Sequence, residues 1–242
     1  NLYCFPKNIL DKIENIFNHN DIIINSFSCS SYVKSLNYNK LFQNHKKKIF
    51  LDIGFKKTCL AVYDNNILIH LHSVPLGGNH ITSDISQILK LSEEESEIIK
   101  KSFNKSETVF TSDNKLKNNI LKDDIKLVNQ DISQDLLKKV IFARIEEIIN
   151  LSFKKVHFEN LNEKNNYILV FTGEGSKILN NNAIYLENRY NFIDEMNFYE
   201  ENLESICRSA HNLFHNNNNE VNLVSKKPKK IGFFEKLLNL FN

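Results

Sequence analysis

The chain has 242 residues, of which 41% are hydrophobic, enough for one large domain or two small domains with an apolar core. Its net charge of +2 creates no strong overall field, which argues against nucleic acid as a partner. Four scattered cysteines without a C-x-x-C pair argue against a zinc site or a disulfide framework, and no window holds the roughly 18 consecutive apolar residues that a membrane-spanning helix needs.

The N-terminal part predicts short helices between apolar runs. Apolar spacing indicates a helix from Lys7 to about Asn18. Residues 21–25 predict a buried strand, and Ser30 to Leu36 predict a second helix. The run Lys46–Lys48 predicts a solvated connector. Because the first residue is Asn1 and not Met, we expect the protein to have residues upstream of this sequence.

From Ile49 onward the residue pattern predicts strands. Residues 49–53, 58–63 and 66–71 predict a three-stranded meander with turns at Gly54 and at residues 64–66. Two helices are predicted next, over residues 81–91 and 93–103.

The second half of the chain alternates between helices and a strand. Residues 105–131 predict an irregular insert, and residues 133–153 predict a long amphipathic helix. Tyr167–Phe171 predicts a buried strand that runs straight into a glycine turn and a short helix. A core helix over 200–214 precedes an asparagine-rich flexible linker over 215–225.

Three glycine turns are candidate phosphate sites. They lie at Gly54, at Gly77-Gly78 and at Gly173/Gly175. A turn between a strand and a helix suits a phosphate group because free backbone N–H groups and the positive end of the helix dipole converge there. Each is open to a second interpretation, since a glycine after a strand more often only makes a tight turn.

Four segments in one order resemble a known family. Leu51–Gly54, followed by Thr58 and Ala61-Val62-Tyr63, is similar to D-I-G-G-G-T-T-D-I-A-V-Y, the second phosphate motif of the actin-like ATPases. Pro75–Ile85 resembles the segment that follows in the bacterial cell-division family FtsA. Ala143–Ile148 resembles the A-R-x-E-E-I helix of that family, and Phe171–Gly175 its adenosine motif T-G-G-G. With the terminal helix Gly232–Phe241, the resemblance covers nearly the whole chain.

The resemblance implies an α/β fold of the actin-like (ribonuclease H-like) type, in which helices flank a mixed sheet, with a C-terminal amphipathic helix. Residues 1–45 would be the end of the inserted FtsA subdomain and its link to the core, and residues 46–214 the second actin-like lobe with a smaller subdomain at about 88–140. Residues 215–230 would form a flexible basic linker, and 231–242 a membrane-binding helix. Because the first phosphate motif of the family lies upstream of this order, the chain resembles the C-terminal part of an FtsA.

The resemblance also implies a ligand, ATP with Mg²⁺, and assigns no catalytic residue and no metal ligand. An ordinary polar helix face is an equally open interpretation of Glu97 and Lys100, and the lone His80 is interpreted as structural. The implied cofactor-binding residues are Asp52, Gly54, Thr58, Gly77, Gly78, Thr82, Glu97, Lys100, Gly173 and Gly175.

Several positions depart from the family motifs. Phe55 and Lys56 replace glycines, and their side chains prevent a phosphate from approaching the backbone closely. Cys59 replaces an acidic residue that could serve magnesium or water. Glu174 replaces the middle glycine of the adenosine motif and places negative charge where a phosphate-bearing ligand would bind. These departures predict weak or absent ATP hydrolysis, so an enzyme is the less favoured interpretation.

The last twelve residues form an amphipathic pattern, with apolar side chains on one half of the helical wheel. A helix of this length measures roughly 18 Å, too short to cross about 30 Å of hydrocarbon, so we expect it to lie in the interface of an anionic membrane. Docking on a partner protein or on the core would produce the same stripe. The predicted membrane-binding residues are Ile231, Phe233, Phe234, Leu237, Leu238, Phe241, Lys229 and Lys230.

The favoured function implied by the resemblance is a cell-division adaptor that tethers FtsZ filaments to the membrane. It would act at the cytoplasmic face of the inner membrane as a peripheral protein of the division septum, self-associate into filaments and recruit other division proteins. Two alternatives stay open: an actin-like ATPase with active nucleotide turnover, and a degenerate regulatory relative that binds no nucleotide.

Overall fold

The computed structural model of the chain describes residues 6–105, 133–156, 167–179, 186 and 189–215. The insert over 105–131 beyond Lys105, the linker beyond His215 and the terminal amphipathic helix lie outside the described residues. The chain divides into two compact units, residues 27–210 and residues 1–26 together with 211–242. Within the described part, no helix is both long and apolar enough to cross a membrane.

A five-stranded sheet with the strand order β3-β2-β1-β4-β5 organises the larger unit. Strands β1 (Lys47–Ile53), β2 (Thr58–Asp64) and β3 (Ile67–Val74) form an antiparallel meander. Strands β4 (Tyr167–Thr172) and β5 (Ile193–Phe198) continue the sheet, with β4 parallel to both β1 and β5. The mixed sheet confirms the predicted meander and brings the carboxyl ends of β1, β4 and β5 to one edge.

The tight turn between β2 and β3 follows from its residues. Asn65 and Asn66 both have positive φ angles, 47° and 65°, as a two-residue hairpin turn requires. Asparagine adopts this conformation more readily than other non-glycine residues. The pair therefore sets the register next to the turn, up to the irregularity between Val62 and Tyr63.

One face of the sheet is covered by helices α3 (Gly78–Leu89), α4 (Glu93–Lys105) and α5 (Gln134–Phe153) and by a 3₁₀ helix, Glu174–Leu179. The predicted helices over 81–91, 93–103 and 133–153 are confirmed. The main core lies between these helices and the sheet. This core includes Ile49, Leu51, Ile53, Leu60, Val62, Ile81, Ile85, Ile99, Ile141 and Ile145.

Helix α2 (Ser30–Leu41) covers the other face, and its Tyr38 packs against Phe50 with ring centroids 5.6 Å apart. Asn37 of α2 bonds to Ser205 and Ser209 of helix α6 (Leu203–His215). Helix α6 confirms the predicted helix, but its core interpretation is wrong, because Ser209 is its only buried residue and Leu203 is 77% exposed. In the smaller unit, the predicted N-terminal helix is present as α1 (Lys7–Asn18).

Lys48 corrects the prediction of a solvated lysine connector. Strand β1 already begins at Lys47, and the Lys48 side chain is fully buried. Its ammonium donates to Asn66 Oδ1 at 2.5 Å and to Phe42 O at 3.2 Å. Burial lowers the pKa of Lys48 because the charged form loses hydration. The burial of Lys48 could not be predicted from the run of three lysines, because such a run is typical of solvent-exposed residues.

The prediction of a strand over residues 21–25 is wrong, because these residues form no strand and Ile23 is 81% exposed. Strand β5 was not predicted, because Asp194, Glu195 and Asn197 interrupt any apolar run. Within the described sheet, β5 is an edge strand that pairs with β4, and its Asp194 and Glu195 are exposed.

Candidate functional site

Glycines concentrate at one place in the larger unit. The chain has six glycines, and five of them lie in the β1–β2 turn, at the start of α3 and in the turn after β4. These three segments are far apart in sequence, yet their backbones touch. Gly78 lies so close to Gly175 that a methyl group on it would be 3.4 Å from the Gly175 Cα atom. The structure thus brings together the three glycine turns that the sequence singled out.

Close backbone contact explains three of these glycines. A methyl group at Gly77 would lie 2.5 Å from Gly54 O, and one at Gly175 would lie 2.8 Å from Ile53 O. Gly173 has a φ angle of +85°, and a methyl group there would overlap Asp52 Oδ1 and lie 2.5 Å from Ile53 O. These glycines are therefore required by the packing of the chain against itself.

The N-terminus of α3 is already occupied by the chain. The amide N–H groups of Gly78 and Asn79 donate to the carbonyl oxygens of Gly54 and Phe55, at 2.9 and 2.8 Å. The Gly77 N–H donates to His80 Nδ1 at 3.1 Å, so His80 caps the helix, in agreement with its structural interpretation. The free N–H groups that make a helix N-terminus attractive to phosphate are consequently reduced here.

An open cavity of about 310 Å³ lies beside the glycine turns. Its size falls within the range of small-molecule sites, roughly 300–1,000 Å³. Lysines and glutamates alternate on its wall, so it presents both charge signs. The cavity is lined by Gly54, Phe55, Gly78, Ile81, Glu97, Lys100, Lys101, Glu174, Gly175, Lys177 and Ile178.

Three polar residues form a network at one side of this cavity. Thr82 donates to Glu97 Oε2 at 2.6 Å, and the Lys100 ammonium lies 2.6 Å from the same oxygen. Lys100 also donates to Thr82 Oγ1 at 2.8 Å and to Gly78 O at 3.2 Å. Burial raises the pKa of Glu97, but the bonds from Lys100 and Thr82 outweigh it, so the net shift is downward. The network therefore places an ionised Glu97 carboxylate and the Lys100 ammonium on the cavity wall, where they can hydrogen-bond to a ligand.

A second polar network lies at the carboxyl edge of the sheet. The Lys34 ammonium on α2 donates to Asp52 Oδ2 at 3.0 Å and to Glu201 Oε1 at 2.6 Å. Tyr38 donates to Glu201 Oε1 at 2.8 Å, and Thr172 donates to Tyr38 Oη at 2.9 Å. These contacts pair most of the polar groups of the network, while Asp52 Oδ1 is buried without a hydrogen-bond partner among the described residues.

The predicted cofactor residues fall into three sets. Gly54, Gly78, Glu97, Lys100 and Gly175 line the cavity, and Thr82 bonds to two of them. Gly77 and Gly173 form the backbone contacts. Asp52 is not on the cavity wall, since its carboxylate pairs with Lys34. Thr58 is also off the wall, because it is buried and its hydroxyl donates to Leu76 O at 2.8 Å.

Sequence reasoning missed Lys34 and Glu201. Neither belongs to a motif, and 167 residues separate them, so the sequence carried no signal for the pair. Asp84 and Arg144 lie within the motif segments Pro75–Ile85 and Ala143–Ile148, and no role was predicted for them. The structure joins them in an ion pair between α3 and α5. A carboxylate and an arginine in two motifs of one family was a signal that could have been used.

The residues fit the two parts of the implied ligand differently. The cavity, with its lysines and the Glu97 carboxylate, suits a polar organic molecule of nucleoside size. The Asp52 and Glu201 carboxylates do not suit Mg²⁺, because Lys34 already binds both. In the described residues, no group of three or more His, Cys, Asp or Glu side chains is arranged to hold a metal ion.

Comparison with solved structures supports the fold. The chain is similar to MreB 5 of Spiroplasma citri bound to AMPPNP, with a TM-score of 0.58, 14% identity and coverage of 86% of this chain and 65% of that one. It also matches the ethanolamine utilization protein EutJ from Carboxydothermus hydrogenoformans, with a TM-score of 0.44, 17% identity and coverage of 67% and 47%. The match to MreB 5 confirms the predicted actin-like α/β fold. The chain spans less than two thirds of the length of either structure.

Sequence comparison identifies the family. No curated protein sequence matches the chain. A family model described as "Cell division protein FtsA" matches residues 49–228, which is 180 of the 242 residues. This range includes all three glycine turns and the motif segments on α3 and α5. The chain therefore belongs to the FtsA family of actin-like cell-division proteins.

Proposed function

We propose that this chain is the second lobe of a cell-division adaptor that tethers FtsZ filaments to the cytoplasmic face of the inner membrane. The observation that carries the proposal is the family match over residues 49–228. The adaptor works at the division septum, where it recruits later division proteins. The proposed membrane contact is the amphipathic segment 231–242 with Lys229 and Lys230.

Self-association is part of the proposal. One interfacial helix of twelve residues binds a membrane weakly and reversibly. Several copies held in one filament bind much more firmly, because each later helix binds at a high effective concentration. A filament of adaptors therefore gives a stable attachment from weak single anchors.

At the site, we propose ATP binding with little hydrolysis. Glu97, Lys100 and the glycine cavity support binding of the nucleoside part. Phe55 is 60% exposed at the turn where the family carries a glycine, and the α3 amides are bonded within the chain. Both features disfavour the close phosphate contacts on which phosphoryl transfer depends. ATP binding therefore serves assembly in this proposal, and fast turnover is not expected.

Tethering is tested by sedimentation with anionic vesicles and FtsZ. We expect the wild-type chain to carry FtsZ to the vesicle pellet, and Phe234→Glu to lose at least about tenfold in vesicle binding, since a charge replaces an aromatic side chain in the interface. Asn239→Glu adds the same negative charge on the polar face and is the matched control. Its loss of vesicle binding should be smaller and measures the effect of the charge alone. If a form truncated after Ser225 sediments with vesicles as efficiently as wild type, the segment 231–242 is not the anchor. If wild type binds the vesicles but does not bring FtsZ into the pellet, the chain is not an adaptor.

Nucleotide binding separates the proposal from its two alternatives. Glu174→Gln removes a carboxylate from the cavity wall, so we expect ATP affinity to rise by about threefold or more. Glu200→Gln is the matched control, because Glu200 pairs with the same Lys177 at similar exposure but does not line this cavity. ATP turnover on the order of 1 s⁻¹ would support an active ATPase instead. No ATP binding by any variant would support the relative that binds no nucleotide.

A further inference from the structure

Two carboxylates and one ammonium meet at the carboxyl edge of the sheet. The Lys34 Nζ atom lies 3.0 Å from Asp52 Oδ2 and 2.6 Å from Glu201 Oε1. Only 15% of the Asp52 side chain is exposed, and 23% of the Lys34 and Glu201 side chains. Two carboxylates this close and this poorly hydrated repel each other unless a cation lies between them.

The groups that hydrogen-bond to the ammonium and to Glu201 in this network include further oxygens. Thr172 ends β4, and its hydroxyl lies 3.2 Å from Glu201 Oε1, while the Tyr38 hydroxyl donates to the same oxygen. Asp52 Oδ1 is buried without a hydrogen-bond partner among the described residues. Carboxylate and hydroxyl oxygens are the ligands that Mg²⁺ and Ca²⁺ prefer. The carboxyl edge of parallel strands is also the place where open α/β sheets bind ligands.

We infer that the Lys34 ammonium is the built-in cation of this oxygen cluster and that the lobe binds no divalent metal ion between Asp52 and Glu201. A metal ion would have to displace Lys34 from both carboxylates and leave its charge poorly hydrated without a partner. An ammonium cannot dissociate from the protein, so one positive charge stays between the two carboxylates whatever the metal concentration.

The protonation states agree with this arrangement. Burial lowers the pKa of Lys34, but Glu201 and Asp52 outweigh it and the net pKa is raised, so the side chain stays charged at neutral pH. The two carboxylates shift in opposite directions. Burial dominates at Asp52 and raises its pKa, whereas at Glu201 the bonds from Lys34 and Tyr38 overcome burial and lower it. The difference follows from the deeper position of Asp52.

The inference deepens the proposed function in one respect: if the cavity binds nucleotide, this cluster supplies no metal site for it. Its test needs neither nucleotide nor FtsZ nor vesicles, so its failure and that of the proposed function are distinguishable. The probes are Mg²⁺ and Mn²⁺ alone, added to the full chain. The measurements are the thermal midpoint Tm and isothermal titration calorimetry.

We expect wild type to show no change in Tm with either ion. Lys34→Met removes the ammonium at nearly constant length, so we expect Tm to fall by roughly 5–10 °C and to recover by several degrees in millimolar Mn²⁺. Lys34→Arg keeps a cation and should show neither the fall nor the recovery. Lys40→Met is the matched control on the same helix, because Lys40 is exposed.

Four results would overturn the inference. The first is a stabilisation of wild type by Mg²⁺ or Mn²⁺ that Asp52→Asn abolishes. The second is a fall in the Tm of Lys34→Met no larger than that of Lys40→Met, and the third is a large fall in the Tm of Lys34→Met without any gain of metal binding. If Lys34→Met does not fold, the wild-type and Lys34→Arg titrations still decide, and metal binding by Lys34→Arg at Asp52 would contradict the built-in cation.

Discussion

Gly173→Ala is expected to lower the free energy of unfolding by about 3 kcal/mol or more. The φ angle of Gly173 is +85°, and this left-handed half of the backbone map costs an L-residue roughly 1–2 kcal/mol. The new methyl group would in addition overlap Asp52 Oδ1 and lie 2.5 Å from Ile53 O. Ile53 belongs to β1, which is paired with β2 on one side and β4 on the other, so its backbone cannot easily move away.

Urea unfolding followed by circular dichroism measures this effect. Gly78→Ala is the matched control from the same glycine cluster. Its methyl group would have no neighbour closer than 3.4 Å, and alanine is preferred over glycine inside a helix. We expect Gly78→Ala to change stability by less than about 1 kcal/mol. Equal losses in the two variants would show that backbone contact does not explain Gly173.

The elements that could be predicted from the sequence are those with a strong local pattern. Strands β1, β2 and β4 are apolar runs bounded by turn residues, and α5 carries apolar side chains at helical spacing. The order of the glycine motifs then identified the family and the actin-like fold. Each element and each motif is contained within some twenty residues, and the order of the motifs is visible along the chain, so no knowledge of the tertiary structure was needed.

The features that the sequence did not reveal depend on contacts between distant residues. Lys48 lies in a run of lysines, and only the pairing of β1 with its neighbours makes it buried. Lys34 lacks any motif, and its role arises because α2 crosses the sheet beside Asp52 and Glu201. The run 22–24 has the composition of a strand, yet it pairs with no strand in the described part of the chain.

The cluster of glycines changes how the motif departures are understood. Glycines in such motifs are expected to let a ligand approach the backbone. In this chain Gly77, Gly173 and Gly175 instead let the β1–β2 turn, α3 and the β4 turn approach one another. The packing of the chain against itself therefore accounts for these glycines without a phosphate ligand, which is compatible with the proposed adaptor with little ATP hydrolysis.

Arg144→Ala is expected to lower the free energy of unfolding by about 2 kcal/mol. Arg144 Nε lies 2.5 Å from Asp84 Oδ2, and its Nη2 lies 2.7 Å from Asp84 Oδ1. Such a bidentate pair is stronger than a single ion pair, and the two side chains are only 23% and 22% exposed. The value lies between that of an exposed pair, at most about 1 kcal/mol, and that of a buried one, about 3–5 kcal/mol.

A double-mutant cycle with Asp84→Ala isolates the pair, and we expect a coupling free energy of about 1–2 kcal/mol from urea unfolding. Arg144→Lys should recover only part of the loss, because an ammonium cannot bond both carboxylate oxygens in the planar geometry of a guanidinium. Glu147→Ala is the control. It removes the other carboxylate bonded to Arg144, which is 50% exposed, so its effect should stay below about 0.5 kcal/mol. If Arg144→Ala loses no more unfolding free energy than Glu147→Ala, the pair does not hold α3 against α5. The position of the Gly77-Gly78 turn at the start of α3 would then need another explanation.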